Sequence, residues 1–578
     1  MKLTISLQDA IKRYTDDQDK IITPDETVRR FKHRLAELDL DILEATQRID
    51  TGRLGIPVFF SRCGKDARRI IGTRKQMGKG ATPEQAEASA VMELAERFSF
   101  FAFTKDPSRF IIATPASLGE KALPFRYIAQ SVHDSTPDIV AAQRIYEQLP
   151  MKWAQAFNLT RGRSVLIPFD WFFAINQFNG PSAGNCQEEA ISQGICEIVE
   201  RHVSALVSNG RLEVPGIDPA SATDPAVRDM LDKYQRAGIR LYISDFSLDT
   251  GIPSVAVMAY DPSTFPDKSE IVWTAGTTPD PEKALSRALT EVAQLAGDFH
   301  SGSNFVASGL PKFNTLDEAA YIMNPPRMVG IDTLPDVSDA NIRIEVERCV
   351  SALDGSGMEV ILIDTRHPQL GIPAFYTIVP GAHFRERAVG TSVGLFAAKH
   401  VADTFPPREA LKRLSAIDAD LPGKYYVKFY LGQCLIAMGQ PETALTPLAE
   451  AAQLDPPTSE AADIYAYTGV ALKELERYEA ALDALSQAER LDEDRTDVHN
   501  LKGFCHFKLK EHEKAIESFQ RVIALDPSSA IDYANIASNY RDLGDFENAI
   551  RYYETALALD PGITFALENL LALQKKGS

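Results

Sequence analysis

A chain of 578 residues with 44% hydrophobic content is long enough for more than one domain, each with a real core. Its 61 basic and 80 acidic residues give a net charge of −19, which argues against direct nucleic-acid binding and against an anionic membrane surface. The six cysteines are scattered without a CxxC pair and the ten histidines have no metal-ligand spacing, so zinc and disulfide frameworks are disfavoured and a reducing cytoplasm is expected.

The start, MKLTISLQDAIKRYTDDQDK, carries acids early and reads as no signal peptide. No stretch has the apolar length of a membrane span. The first fifty residues read as charged and helical, with Phe31, Leu35, Leu38 and Leu40 as an apolar stripe. IPVFFSRC then reads as a strand. GTRKQMGKG has the look of a phosphate loop, but the spacing from Gly72 to Gly78 is one residue too long. Gly80 also stands where a magnesium-binding Ser or Thr belongs. Gly78–Thr82 therefore reads as a turn, with Thr82 as N-cap and Pro83 at the first helical position.

In the helix that follows, Ser89, Glu93, Glu96 and Arg97 lie opposite Val91, Leu94 and Phe98. Further on, SVLIPFDWFFAIN reads as a strand and NGPSAGN as a glycine-bearing turn into a second helix, whose first amides suit an anion. There Glu189, Glu197 and Glu200 fall within roughly 80° of one another around the helix axis. A third helix starting near Pro281 sets Arg287, Glu291 and Gln294 opposite Leu285, Leu289 and Val292. Taken singly, each stripe is an ordinary solvated helix face. Were they to share a cleft, about six carboxylates would meet, a costly arrangement unless cations neutralise them. Hard divalent ions bridge carboxylates to phosphates, and arginines grip phosphate oxygens, so the recurring pattern points to a magnesium–nucleotide site.

An internal duplication flanks the third helix. AGIRLYISDFSLDTGIPSVAVMAYDP and SGMEVILIDTRHPQLGIPAFYTIVPG each run from a glycine through an apolar strand ending on Asp245 or Asp364 to Gly-Ile-Pro and a second strand. Helices AVRDMLDKYQRA and RIEVERCVSAL precede them, and IVWTAGTT adds a strand. An α+β core with mixed or largely antiparallel sheet and packed helices is predicted.

From Asp403–Glu409 the composition shifts. Small residues Gly432, Gly469, Gly503 and Ala537 recur at intervals of 37, 34 and 34, with Ala444, Ala481, Ala515 and Ala549 twelve residues after each. This resembles tetratricopeptide repeats, an all-α solenoid of about four units that binds peptides or proteins. Phe504, Tyr533, Tyr540 and Phe546 are expected to pack between helices. The predicted domains are 1–405 and 406–578.

Several of these pieces together resemble the YcaO family of ATP-dependent enzymes. They are GKGAT at Gly78–Thr82, Ser89 to Arg97, NGPSAGN with the glutamates after it, Arg287–Gln294 and the closing IVPG at Ile378–Gly381. Upstream, Lys20 and Thr27 match a nucleotide-contacting lysine and serine. The resemblance spans roughly the first 400 residues. It implies ATP and Mg2+ as cofactors, bound without a phosphate loop. Metal would be held by Glu93, Glu96, Glu189, Glu197 and Glu200. Nucleotide would be contacted by Lys20, Thr27, Ser89, Arg97, Ser182, Asn185, Arg201, Arg287 and Glu291. No catalytic residue is assigned.

Members phosphorylate a backbone amide oxygen of a peptide or protein and so open the way to an azoline or, with a sulfur donor, a thioamide. Two departures mark this chain. Leu-Ala-Gly follows Gln294 where many members have an arginine, and the proline-rich ending of azoline-forming cyclodehydratases is missing. The resemblance thus leans toward a thioamide-forming member, or toward the subgroup regarded as accessory factors for methylthiolation of ribosomal protein S12. It implies a homodimer and a sulfur-donating or methylthiotransferase partner. An amide-activating enzyme, a nucleotide-binding accessory protein and a plain scaffold remain the readings to separate. Cys186 and Cys196, near the second helix, are candidates for sulfur handling.

Overall fold

The computed structural model describes residues 3–300, 302, 305, 309–385 and 392–576. The chain divides into two compact units, Met1–Thr136 with Glu147–Val393, and Pro137–Tyr146 with Gly394–Ser578.

Among the described residues, the first unit holds three sheets. Strands β1 (Leu43–Arg48), β2 (Val58–Cys63) and β3 (Lys75–Lys79) make an antiparallel meander. A second sheet contains β4 (Phe110–Ala113), β5 (Met151–Asn158), β6 (Arg163–Pro168), β7 (Pro181–Ala183), β13 (Ile361–Asp364) and β14 (Ala374–Ile378), in the order β4-β5-β13-β14-β7 with β6 beside β5. The third contains β8 (Gly216–Ile217), β9 (Arg240–Asp245), β10 (Ser254–Tyr260), β11 (Val272–Thr277) and β12 (Met328–Val329), in the order β11-β10-β9-β8-β12. Its β8–β12 pair is parallel, and the other pairs of the named strands are antiparallel.

The sequence duplication maps onto two different sheets. The first copy forms the antiparallel pair β9–β10, with Ile243 opposite Val257, and the second forms β13–β14, with Ile361 opposite Ile378. Helices α1 (Pro24–Leu38), α2 (Pro83–Lys105), α3 (Gln187–Gly210), α4 (Pro225–Arg236), α5 (Pro281–Ala296) and α6 (Ile342–Gly355) pack on and around these sheets. Apolar stripes place them. Leu285, Leu289 and Val292 of α5 are buried against Val255, Val257 and Val272 of the third sheet. Val91, Leu94 and Phe98 of α2 bury against Phe31 and Leu35 of α1 and Cys63 of β2.

Four local readings are corrected. Residues 3–23 form no helix but run as an irregular strap, because polar and charged residues leave no continuous helical stripe before Thr23 caps α1. Residues 75–79 belong to β3, so the turn reduces to Gly80–Thr82. Pro181–Ala183 is a short strand on β14 rather than turn, and α3 starts at Gln187. SVLIPFDWFFAIN splits at Pro168 into β6 and a helix, Phe169–Asn176, since an apolar run buried on all sides looks alike as strand or helix.

Gly78 lets β3 lie directly on α2. A Cβ there would stand 2.0 Å from the Ala90 nitrogen and 2.5 Å from the Ala86 oxygen, both helix backbone.

The second unit is built of antiparallel helix pairs: Tyr425–Ala437 with Pro441–Gln453, Thr458–Glu474 with Tyr478–Leu491, Thr496–Lys508 with His512–Leu525, and Ala530–Leu543 with Phe546–Leu559, followed by Thr564–Lys576. The periodic small residues mark the helix crossings. At Gly469 an added Cβ would meet Leu485 Cγ at 2.6 Å, and this closeness is why the period shows in the sequence. Tyr533 and Tyr540 pack against Tyr552 as expected. Phe504 meets the Tyr478 ring of the preceding pair edge-on at 6.5 Å while staying 37% exposed, and Phe546 is 50% exposed.

Candidate functional site

Three helix starts set the site. Thr82 accepts a hydrogen bond from the Gln85 amide and Pro83 opens α2; the Cys186 sulfur accepts from the Glu189 amide at 3.4 Å to open α3; Asp280 accepts from the Glu282 and Lys283 amides to open α5. Each helix turns its apolar stripe to a core and its polar stripe toward one shared cavity of about 350 Å³.

Of the fourteen residues singled out from the sequence, twelve line that cavity. They are Lys20 and Thr27 from the strap and α1, Ser89, Glu93, Glu96 and Arg97 from α2, Asn185, Glu189, Glu197 and Arg201 from α3 and the turn before it, and Arg287 and Glu291 from α5. Two do not reach the wall. Ser182 is fully buried on β7 with its hydroxyl unpartnered, and Glu200 lies behind the wall, 3.5 Å from Arg201 and 3.4 Å from Arg287. The cavity also recruits side chains that sequence reasoning passed over, among them Lys79, Gln18, Gln193 and Thr290. Gln193 and Thr290 lie one helical turn from residues already singled out, which was the available signal. Lys79 stands inside GKGAT, where dismissing a phosphate loop hid a lysine at a strand end.

Among the described residues the wall carries five cations, Lys20, Lys79, Arg97, Arg201 and Arg287, interleaved with five carboxylates, Glu93, Glu96, Glu189, Glu197 and Glu291. Burial pushes Glu96 well above the ordinary carboxylate range; Arg97 opposes this, while Glu197 and Glu93 add to it. Glu93 is raised for the same reason, against Arg97 and Lys79. Burial also raises Glu200, against the pull of Arg201 and Arg287. Glu291 goes the other way: burial pushes it up, but Lys79 and Arg201 outweigh burial and hold it below the usual range. Arg97 lies 3.5 Å from Glu96 and 5.9 Å from the Phe178 ring centroid. Glu197 accepts from the Gly180 amide at 3.2 Å.

The strap ties these parts together. The Ile21 amide donates to Glu189 Oε1 at 2.7 Å, while the Asn185 amide and side-chain nitrogen donate to Glu189 Oε2 at 2.9 and 3.0 Å. Lys283 of α5 donates to the Asp16 carbonyl at 2.5 Å. Asp17, almost fully buried, accepts from the Ala81 amide at 2.8 Å and the Tyr14 hydroxyl at 2.7 Å. So the strap is bound next to the starts of α2, α3 and α5. Asp17→Ala leaves the Ala81 amide and Tyr14 hydroxyl without that acceptor, and a loss of about 1–3 kcal/mol in denaturant unfolding is expected.

The thiols offer no ready sulfur nucleophile. Burial pushes Cys186 up to about 12, and Cys196 is buried beside Cys349, whose thiol is raised by its hydrogen bond to Cys196 and by burial.

Among the described residues no three carboxylate, imidazole or thiol groups stand close enough to hold a metal ion by themselves. A magnesium ion here would take the rest of its shell from elsewhere, as it commonly does from one or two carboxylates, phosphate oxygens and water. The donors fit that use: hard oxygens, two of them raised by burial, facing the same space as guanidinium and ammonium groups. Among the described residues no helix is long and apolar enough to cross a membrane.

A family model described as YcaO cyclodehydratase, ATP- and Mg2+-binding, matches residues 77–383, and two tetratricopeptide-repeat models match residues 496–529 and 533–563. An uncharacterized protein of Methanothermobacter thermautotrophicus is 28% identical over 382 residues, which are 62% of this chain and 94% of that protein. The ribosomal protein S12 methylthiotransferase accessory factor YcaO of Escherichia coli is 24% identical over 399 residues, 62% of this chain and 64% of that protein. A solved heterocyclase, in complex with substrate and cofactor, shares the fold with a TM-score of 0.54 and 24% identity; the likeness covers 66% of this chain but only 55% of that one. The matched stretch takes in α2, α3 and α5 with every glutamate and arginine of the cavity wall, and on that match the chain belongs to the YcaO family, an ATP- and Mg2+-binding family, here followed by tetratricopeptide repeats.

Proposed function

We propose that this protein uses Mg-ATP to activate a backbone amide of a peptide or protein by phosphorylating its oxygen, leading to a thioamide or an azoline. The observation that carries this reading is the meeting of Glu93, Glu96, Glu197, Glu291, Arg97, Arg201 and Arg287 from three helices around one cavity. Bound there, Mg-ATP would supply the phosphoryl group that turns a poor leaving oxygen into a good one. The chain's own part is positional and electrostatic. Glu93, Glu96, Glu189 and Glu197 line the wall as metal-facing oxygens, with Glu200 behind them. Arg97, Arg201 and Arg287 offer planar forks to phosphate oxygens. Lys20, Thr27, Ser89 and Asn185 border the same space as nucleotide contacts, and Ser182 supports it from β7. The repeats recruit the peptide-bearing substrate or a partner protein.

The test is phosphate release by the full chain with ATP and Mg2+, with and without candidate peptides, and mass spectrometry of the peptide. The expected result is peptide-stimulated phosphate release, with the loss of one water mass for an azoline or the exchange of one oxygen for sulfur for a thioamide when sulfide is supplied. A second reading is favoured by the name of the Escherichia coli relative. In it the chain binds ATP as an accessory factor for methylthiolation of ribosomal protein S12 and performs no cyclodehydration of its own. Nucleotide binding with no peptide mass change under any of these conditions would select it.

A further inference from the structure

We propose that Lys79 is the resident counter-ion of the carboxylate cluster: it neutralises Glu291 in the nucleotide-free protein, then yields that carboxylate to a divalent cation and turns to the phosphates when Mg-ATP enters. The inference rests on the nucleotide reading above and adds the residue that exchanges partners.

Lys79 is the last residue of β3, and Gly78 before it presses the strand onto α2. Its side chain is only 16% exposed. The ammonium contacts Glu291 Oε2 of α5 and lies near enough to Glu93 of α2 and Glu200 of α3 to act on their charges. It therefore lies within reach of carboxylates from all three helices, with the charge of Arg287 opposing its own.

The arginines of the wall are placed differently. Arg287 spans Glu200 at 3.4 Å and Gln193 at 3.3 Å, and Arg97 is held between Glu96 and the Phe178 ring. A guanidinium in such a frame is a fixed fork. A lysine is a point charge on a flexible stem, able to swing from one oxygen to another with little disturbance of its neighbours. Burial disfavours its charged form, and Glu291 is the chief group opposing that tendency. Lys79 is the cation in direct contact with Glu291, which Arg201 and Arg287 also face, so parting the buried pair leaves each short of its contact partner unless a substitute arrives. For Glu291 the substitute is a divalent cation, and for Lys79 it is a phosphate oxygen.

The experiment compares thermal melts of the full chain, wild type and Lys79→Met, Lys79→Arg and Lys79→Met/Glu291→Gln, with no ligand, with Mg2+ alone, and with Mg2+ plus the non-hydrolysable analogue AMPPCP. Lys79→Met is expected to melt lower without ligand and to be raised several-fold more than wild type by Mg2+ alone, since Glu291 then loses the cation in direct contact with it and keeps only the charges of Arg201 and Arg287. Its affinity for AMPPCP at saturating Mg2+ should fall roughly tenfold, the size of one charge-assisted hydrogen bond. Lys79→Arg should keep the wild-type response to Mg2+ alone. The double variant should recover the lost melting temperature and lose the added Mg2+ response.

A Lys79→Met protein that melts like wild type, or that melts lower yet responds to Mg2+ no more than wild type, overturns the proposal. So does a double variant no more stable than Lys79→Met, which also decides the matter if the single variant fails to fold. If wild type binds no AMPPCP at all, the nucleotide reading fails, whereas the exchange at Glu291 is still read by Mg2+ alone.

Discussion

Glu96→Gln should bind Mg-ATP about a hundredfold more weakly than the parent protein while leaving the nucleotide-free protein no less stable at neutral pH. Two unit charges 4 Å apart attract by roughly 4 kcal/mol at an effective permittivity of 20, nearly three decades of affinity, and the proton that the raised carboxyl must first give up offsets part of it, leaving on the order of two decades. The nucleotide-free protein feels the opposite. Burial raises the Glu96 carboxyl well above 4.5, its ordinary value, so the folded state holds a proton that the unfolded chain releases. Stability is then greatest below that ordinary value and is lost as pH rises through the raised folded value. Glutamine cannot ionise, and its variant should show a flatter fall of melting temperature as pH rises above that ordinary value. Arg97 has a second carboxylate, Glu93, at 4.0 Å to oppose its charge. Because cation binding requires the deprotonated carboxylate, Mg-ATP should bind wild type more tightly as pH rises and should release protons as it does so. Calorimetry in two buffers of different ionisation enthalpy measures that release. A Glu96→Gln protein with parental Mg-ATP affinity would remove Glu96 from the site.

The second large effect is structural. Gly78→Val is expected to destabilise the first unit by about 3 kcal/mol or more, at the upper end of overpacking costs, because its new atoms meet helix backbone and not a movable side chain. The strand cannot retreat without consequence. β3 carries Lys79, and α2 carries Ser89, Glu93, Glu96 and Arg97, so separating them widens the cavity wall. Mg-ATP binding should therefore be lost even below the melting temperature, a result read by calorimetry beside a circular-dichroism melt. The helix pairs of the second unit should melt unchanged, since Gly78 belongs to Met1–Thr136 in the other unit. Parental stability in Gly78→Val would mean that β3 and α2 do not lie as close as described.

Much of this was legible in the residues. The stripes of α2, α3 and α5 repeat a polar face at helical spacing, and helix starts such as Thr82-Pro83 and Asp280-Pro281 announce themselves through capping chemistry. The period of small residues marks the helix crossings of the second unit for the same reason: local geometry demands particular residue types at fixed intervals. The irregular strap was not legible. Its hold on α3 and α5 comes from hydrogen bonds between residues 168 and 267 positions apart, which leave no periodic trace.

The amino-acid sequence by itself determined the helices, their charged faces, the duplicated strand pairs and the repeat array, because each follows from spacing along a few turns or strands. Only the tertiary structure decided that the three charged faces share one cavity, that Ser182 and Glu200 stand behind its wall, and that Lys79 enters among the carboxylates. Those outcomes depend on how β3, the strap and three distant helices pack, and through-space electrostatics in a low-permittivity cavity is set by distances that no local pattern encodes.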